Sequence, residues 1–191
     1  MIIIADTETV GLPRNYKAPP SDTDNWPRMI QLAFVVLDKD MVTTQEYSAI
    51  IRPDGFTIPK EASDLHGITT ERAMADGVPL IDAMVRFCNA VNECEVIVAH
   101  NLAFDQSVIG AEMIRTGIYP VKKERKKICT MEASTAFCAI PGQYGKFKWP
   151  KLQELYKKLF DKEFDGAHNA LNDVLATREC FWSLMAQGII K

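Results

Sequence analysis

The sequence predicts a single α/β domain spanning residues 1–191, built on a mixed five-stranded sheet flanked by helices. Its first half is antiparallel and its second half parallel. Three observations carry this expectation. The chain opens on a run of branched apolar residues, Ile2-Ile3-Ile4, of the kind buried on both faces of a sheet. Two further strand-like runs follow, joined by a short turn. The hydrophobic period then changes to that of helices, with strands and helices alternating, which implies parallel pairing.

The opening strand runs from Met1 to Thr9. After Thr9-Val10-Gly11-Leu12 comes Pro13–Pro27, a segment without apolar periodicity that reads as a loop. It is about three times the usual connection length of roughly 4–6 residues. Because it leaves directly from the first strand, it is expected either at the rim of a site there or as a passive surface loop. Met29–Leu37 is the second strand and ends at the turn Asp38-Lys39-Asp40. Thr43–Ile51 returns as the third, completing a meander closed by Arg52-Pro53-Asp54-Gly55. A loop containing Leu65-His66-Gly67-Ile68-Thr69 precedes a helix whose stripe is Leu80, Ile81, Met84, Val85, Cys88 and Val91. Glu95–Ala99 is a short strand. Asn101 is the expected N-cap of the next helix, which Gly117 ends. The last helix covers Leu171–Met185, with Leu171, Val174, Leu175, Phe181 and Met185 inward. A three-stranded meander followed by helix–strand alternation is the order of a ribonuclease H-like fold.

Composition narrows the function classes. With 47% hydrophobic and 25% charged residues, the chain is an ordinary globular one. No apolar run is long enough for a membrane span, and the start lacks a basic signal-peptide region, so neither membrane nor secretion is expected. Five cysteines without C-x-x-C spacing read as reduced residues of a cytoplasmic protein. A net charge of −3 argues against a broad basic footprint. Two bound divalent ions would change that to +1, concentrated where a phosphate would sit.

The chemistry-bearing residues fall in three places. Asp6 and Glu8 lie two apart on a strand, so they share a face and converge at its end. Paired carboxylates at the edge of a dry core repel unless a cation lies between them, and hard ions such as Mg²⁺ or Mn²⁺ prefer such oxygens. Asp105 follows Asn101 and Phe104 in the first turn of a helix, near the carboxyl end of the preceding strand, where open α/β sheets place ligands. His168 and Asp173 are five apart. Five helical residues turn about 500°, so the two cannot share one face of a continuous helix. Asp173 is expected on the helix and His168 in the approach to it.

The set Asp6-x-Glu8, Asn101-x-x-Phe104-Asp105 and His168-x4-Asp173 resembles the DEDDh branch of the DnaQ-like 3′–5′ exonuclease family. That family includes the proofreading epsilon subunit of bacterial replicative DNA polymerase. Leu65-His66-Gly67-Ile68-Thr69 is similar to the family's H-G-I-T segment, and the match covers nearly the whole chain. Val10, in place of a small polar residue, and the long Pro13–Pro27 loop depart from the family pattern. The resemblance implies two divalent metal ions, Mg²⁺ or Mn²⁺. Asp6, Glu8 and Asp173 would hold one, Asp6 would bridge to the second, and Asp105 would contribute through water. It implies His168 as the proton acceptor, a role that suits a group ordinarily titrating near pH 6.5. Residues matching Thr9, Leu12, His66 and Phe104 would cradle the terminal nucleotides.

The reaction implied is hydrolysis of the 3′-terminal phosphodiester of single-stranded DNA, or of frayed primer ends, in replication proofreading or repair. RNA trimming by the same chemistry is the alternative substrate reading, and a silent nucleic-acid-binding module is the alternative of another kind. Intact Asp6, Glu8, Asp105, His168 and Asp173 argue against silence. No polymerase segment follows the last helix, so the expectation is a free-standing enzyme, or one joined through its surface to a polymerase or replication partner. Two other segments stand out. The basic run Lys122–Lys127 reads as a solvated linker. Gln143–Lys151 interleaves aromatics with lysines, as a stacking loop for single strands or a loop anchored by Phe147 and Trp149.

Overall fold

The computed structural model describes residues 1–121 and 124–191. Five strands form one sheet in the order β3-β2-β1-β4-β5. They are β1 (Ile2–Thr9), β2 (Met29–Leu37), β3 (Thr43–Ile50), β4 (Val96–Ala99) and β5 (Lys126–Cys129). β1 is central. It pairs antiparallel with β2 and parallel with β4, and β4 is parallel to β5. The mixed sheet of a ribonuclease H-like fold is therefore present, with β1 where pairing changes sense. The fifth strand takes up the end of the basic run. Of that run, Lys122 and Lys123 lie outside the described residues.

Helices cover both faces because β1 and β2 are apolar on both. On one side Ile3 and Ala5, with Leu32, Phe34 and Val36, pack under α3 (Leu80–Glu93) and α4 (Leu102–Thr116). On the other, Ile4, Ala33 and Val35 meet α6 (Leu152–Phe160) and α7 (Ala170–Ala186), with α5 (Thr130–Cys138) alongside. β2 is buried along its whole length, which fits its unbroken apolar run.

Four expectations need correction. The stretch read as a loop around His66 folds into α1 (Lys60–His66) and α2 (Thr70–Asp76). Gly67, in a left-handed conformation, ends the first, and the Thr69 hydroxyl caps the second by accepting from the Arg72 N–H at 3.2 Å. These helices are only seven residues each, too short for a periodic stripe to show. On α3 the buried face is Ala83, Met84, Phe87, Cys88, Ala90 and Val91, while Ile81 and Val85 face outward. On α7, Met185 is exposed, and Thr177, Cys180 and Leu184 complete the buried stripe. Asn101 does not cap α4 with its side chain; its backbone is left-handed (φ 72°) instead.

Pro13–Pro27 also differs from a loop with nothing to bury. Trp26 is 3% exposed within the α3/α4 core. Its indole N–H donates to the Pro19 carbonyl at 3.1 Å, and Asn25 and Asn15 exchange two hydrogen bonds. Arg115 of α4 donates to the carbonyls of Thr23 and Trp26. The loop is thus fastened to α4, and a single tryptophan has no period to betray it.

Candidate active site

β1 carries Asp6 and Glu8 to the carboxyl end of the sheet on the α7 side. A register shift between Glu8 and Thr9 ends regular pairing with β2 just past the second acid. Opposite Glu8 stands Gln31, whose side-chain carbonyl accepts from the Ala170 N–H at 3.1 Å, pinning the start of α7 to the sheet. Asn169 caps that helix by accepting from the Leu171 N–H at 3.2 Å. Asp173 therefore arrives one turn into a fixed helix, 9% exposed.

His168 precedes the cap, outside the helix and solvent-exposed, with φ +67°. Its backbone N–H donates to Asp173 Oδ2 at 3.0 Å. This is the division between helix and approach that the five-residue spacing demands. One ligand atom each of Glu8, His168 and Asp173 lies within 4.8 Å of the others.

Asp105 enters from the opposite face of the sheet. Its Oδ1 accepts from the Thr7 backbone N–H at 3.0 Å and from the Thr7 hydroxyl at 2.9 Å. It is 3% exposed and does not line the cleft that holds the other acids. Thr7, between Asp6 and Glu8, was not singled out in the sequence. It points away from them and holds Asp105 against the strand.

The electrostatics follow from this crowding. Burial, then the charges of Asp105, Asp173 and Glu8, raise the Asp6 carboxyl well above the usual range. Glu8 is pushed up to about 8 by burial and by Asp173 and Asp105. Asp173 rises to about 6 by burial, opposed by the hydrogen bond from the His168 N–H. Burial also raises Asp105, against the two bonds from Thr7. Each of these acids resists ionising in the absence of a neighbouring cation. The carboxylate oxygens, with no thiolate among them, fit a hard divalent metal ion, with the His168 imidazole beside them.

The cleft above them holds about 620 Å³. Asp6, Glu8, His168 and Asp173 form its acidic floor, Leu12, Tyr16 and Phe104 one wall, and Lys151 and Gln153 lie at the entrance of α6. Phe104 meets Trp26 edge-on, 6.4 Å between ring centroids, so the buried loop tryptophan positions a wall residue. Of the residues expected to cradle nucleotides, Leu12 and Phe104 line the cleft. Thr9 is buried and donates to the Gly11 carbonyl at 2.6 Å. His66 is 7% exposed; its Nδ1 accepts from the Ile68 N–H at 3.1 Å and its buried Nε2 has no partner among the described residues. Burial and the proximity of His168 lower its pKa.

His100 also lines the cleft, held between Thr130 Oγ1 and the Pro150 carbonyl at 3.0 Å each. Burial pulls it down to about 4, so it is neutral near pH 7. Since a carbonyl only accepts, Nε2 carries the proton and Nδ1 takes the Thr130 hydroxyl. Neither His100 nor Lys151 carried a sequence signal that separated it from a structural residue.

The family model for exonucleases (RNase_T) matches residues 3–181. The chain belongs to this exonuclease family. The expectation of a DnaQ-like 3′–5′ exonuclease is met at the level of the family. The chain is 29% identical over 161 residues to DNA polymerase III subunit epsilon of Aquifex aeolicus, covering 83% of this chain and 72% of that one. It is also 29% identical over 182 residues to the PolC-type DNA polymerase III of Listeria monocytogenes, covering 95% of this chain but only 11% of the polymerase. Among solved structures, Escherichia coli exonuclease I in complex with a dT13 oligonucleotide superposes with a TM-score of 0.75 at 20% identity. That alignment covers 96% of this chain and 40% of exonuclease I, and it shows the shared fold. No helix among the described residues is long and apolar enough to cross a membrane.

Proposed function

We propose that the chain hydrolyses the 3′-terminal phosphodiester of single-stranded DNA, releasing nucleoside 5′-monophosphates. The observation that carries this reading is the convergence of Glu8, Asp173 and His168 within 4.8 Å, beside Asp6, at the end of a buried central strand. Asp6, Glu8 and Asp173 would hold Mg²⁺ or Mn²⁺, with Asp105 contributing through water. Two such ions, when bound, supply activation of the attacking water and charge stabilisation at the phosphate and the leaving oxygen.

The protein's own part is positioning and proton transfer. The backbone bond to Asp173 fixes where His168 enters the cleft, while its exposed imidazole stays available to take a proton from water. Leu12, Tyr16 and Phe104 would bracket the terminal base and sugar and keep bulk water from that side. The raised carboxyls mean that cation uptake and proton release are coupled at the floor.

DNA is favoured as substrate by the oligonucleotide complex of exonuclease I and by the polymerase names of the sequence relatives. The same names support a polymerase or replication partner and a cytoplasmic setting. The test compares 5′-labelled single-stranded DNA, duplex DNA and RNA with Mg²⁺, with Mn²⁺ and in chelator. Metal-dependent, stepwise shortening of single-stranded DNA from its 3′ end is expected. Endonucleolytic fragments, or full turnover in excess chelator, would sink the proposal; faster RNA shortening would move the substrate to RNA.

A further inference from the structure

Residues 140–149 form a small hairpin at the entrance of α6, and its large aromatic side chains are outside. The Gly142 N–H donates to the Lys146 carbonyl at 2.8 Å and the Lys148 N–H to the Ile140 carbonyl at 3.0 Å. Pro141 pairs with Phe147, and a single turn of 3₁₀ helix, Gln143–Gly145, makes the tip. A Cβ at Gly142 would come within 2.8 Å of both the Lys146 carbonyl oxygen and the Lys148 nitrogen, so the strands close only around glycine. Tyr144 is 96% exposed, Trp149 64% and Phe147 52%. Neither Phe147 nor Trp149 anchors the hairpin to the core, which removes one of the two readings of this segment.

What fixes the hairpin is polar and connects it to the cleft. Pro150, directly after Trp149, accepts from neutral His100 in the cleft wall. Glu154 of α6 pairs with Lys148 at 2.6 Å and accepts from the Lys151 N–H at 2.8 Å. Lys146 and Lys151 have no ion pair among the described residues, and Lys151 with Gln153 lines the cleft. The hairpin thus presents three exposed aromatic side chains, with Lys146 at its tip and Lys151 where it joins the cleft lining. Water-facing aromatics in a fixed frame suit a ligand with flat apolar faces and a negatively charged thread.

We infer that the 140–149 hairpin is a stacking platform for the unpaired bases 5′ of the terminal nucleotide, with Lys146 and Lys151 along their phosphates. The inference rests on the exonuclease reading of the cleft and sharpens its substrate class. In a duplex the base faces are covered by their neighbours, so the platform selects a single-stranded tail.

The test uses 12-nucleotide DNA strands whose last three residues are identical and whose upstream residues are either normal or abasic. For the wild-type protein the abasic tail should raise both KM and the Kd read by fluorescence anisotropy by on the order of ten-fold, or more if several bases stack. In the Tyr144→Ala/Phe147→Ala/Trp149→Ala variant the two tails should become equivalent. Tyr144→Ala alone, at a side chain 96% exposed, should reduce the ratio without altering the melting temperature. Tyr144→Phe should restore it. An abasic penalty equal in wild type and triple variant would overturn the platform, as would no penalty in wild type, and would leave a protein partner as the occupant of these aromatics. If the strands bind with the predicted ratio but are not cut, the exonuclease reading fails and the platform stands.

Discussion

The acids and the histidine at this site are held in opposite ways. Asp6 and Glu8 ride on the central strand of the sheet, Asp105 is clamped by Thr7, and Asp173 lies in a capped helix tied to Gln31. His168 sits in the four-residue approach 166–169, exposed, in a left-handed conformation, with only its backbone fixed. In the proposed reaction the acids would share a cation under mutual repulsion, and a scaffold that forbids them to move apart suits that role. The histidine would accept a proton and release it, which suits a side chain with access to water and some freedom.

The sharpest way to break this contrast is to remove a member of each kind. Asp6→Asn and Asp173→Asn should give the largest losses of activity and weaken Mn²⁺ uptake measured by calorimetry without nucleic acid. His168→Ala should lose about 10²–10⁴-fold in rate, the usual worth of a positioned base. It should keep its metal affinity. Equal loss of Mn²⁺ binding in His168→Ala would make the histidine a ligand and dissolve the distinction.

A subtler change moves the histidine without deleting it. Gly166 has φ +71°, and a Cβ there would collide with the Asn172 side-chain amide, which donates to the Gly166 carbonyl at 3.0 Å. Gly166→Ala should displace the approach and lower the rate by up to about 10²-fold, the scale of an ångström-sized misplacement. Its metal affinity should be unchanged.

The smallest effect is on the pH dependence of stability. Glu8 titrates near 8 in the folded protein against an ordinary value near 4.3, so the native state holds a proton that the unfolded chain has released. Stability of the metal-free protein should therefore fall as pH rises through this window. Between pH 7 and 8 the opposing contribution of His100 and His66, lowered by burial in the folded state and ordinarily titrating near 6.5, is small. Asp6 and Asp105, also raised by burial, act in the same direction as Glu8. In chelator, the melting temperature should drop between pH 7 and 8; Glu8→Gln should reduce the drop, and Mn²⁺ should close it. A wild-type melting temperature rising over that range would contradict the assignment.

Much of the site was legible because its residues obey short-range geometry. The i, i+2 rule placed Asp6 with Glu8, and the 500° turn separated His168 from Asp173. Thr7, Gln31 and Trp26 were not legible, because their roles depend on partners 98, 139 and 89 positions away. Trp26 shows the consequence for the fold. Trp26→Ala should cost about 3–5 kcal/mol by leaving a cavity, and it should also loosen Phe104 in the cleft wall. The outward turn of Ile81, Val85 and Met185 has the same origin. Period alone fixes a stripe only to within one neighbouring position, and the sheet beneath decides which side of it is covered.

In the proposed reaction this acidic floor removes nucleotides from a 3′ end with His168 as proton acceptor. The most direct measurement is product release from single-stranded DNA carrying a labelled 3′-terminal nucleotide, followed with Mg²⁺ in wild type, Asp6→Asn and His168→Ala. Labelled nucleoside 5′-monophosphate should be the first product of wild type, be absent from Asp6→Asn, and form about 10²–10⁴-fold more slowly in His168→Ala. Wild-type rates in Asp6→Asn, or a labelled oligonucleotide as the first product, would contradict it.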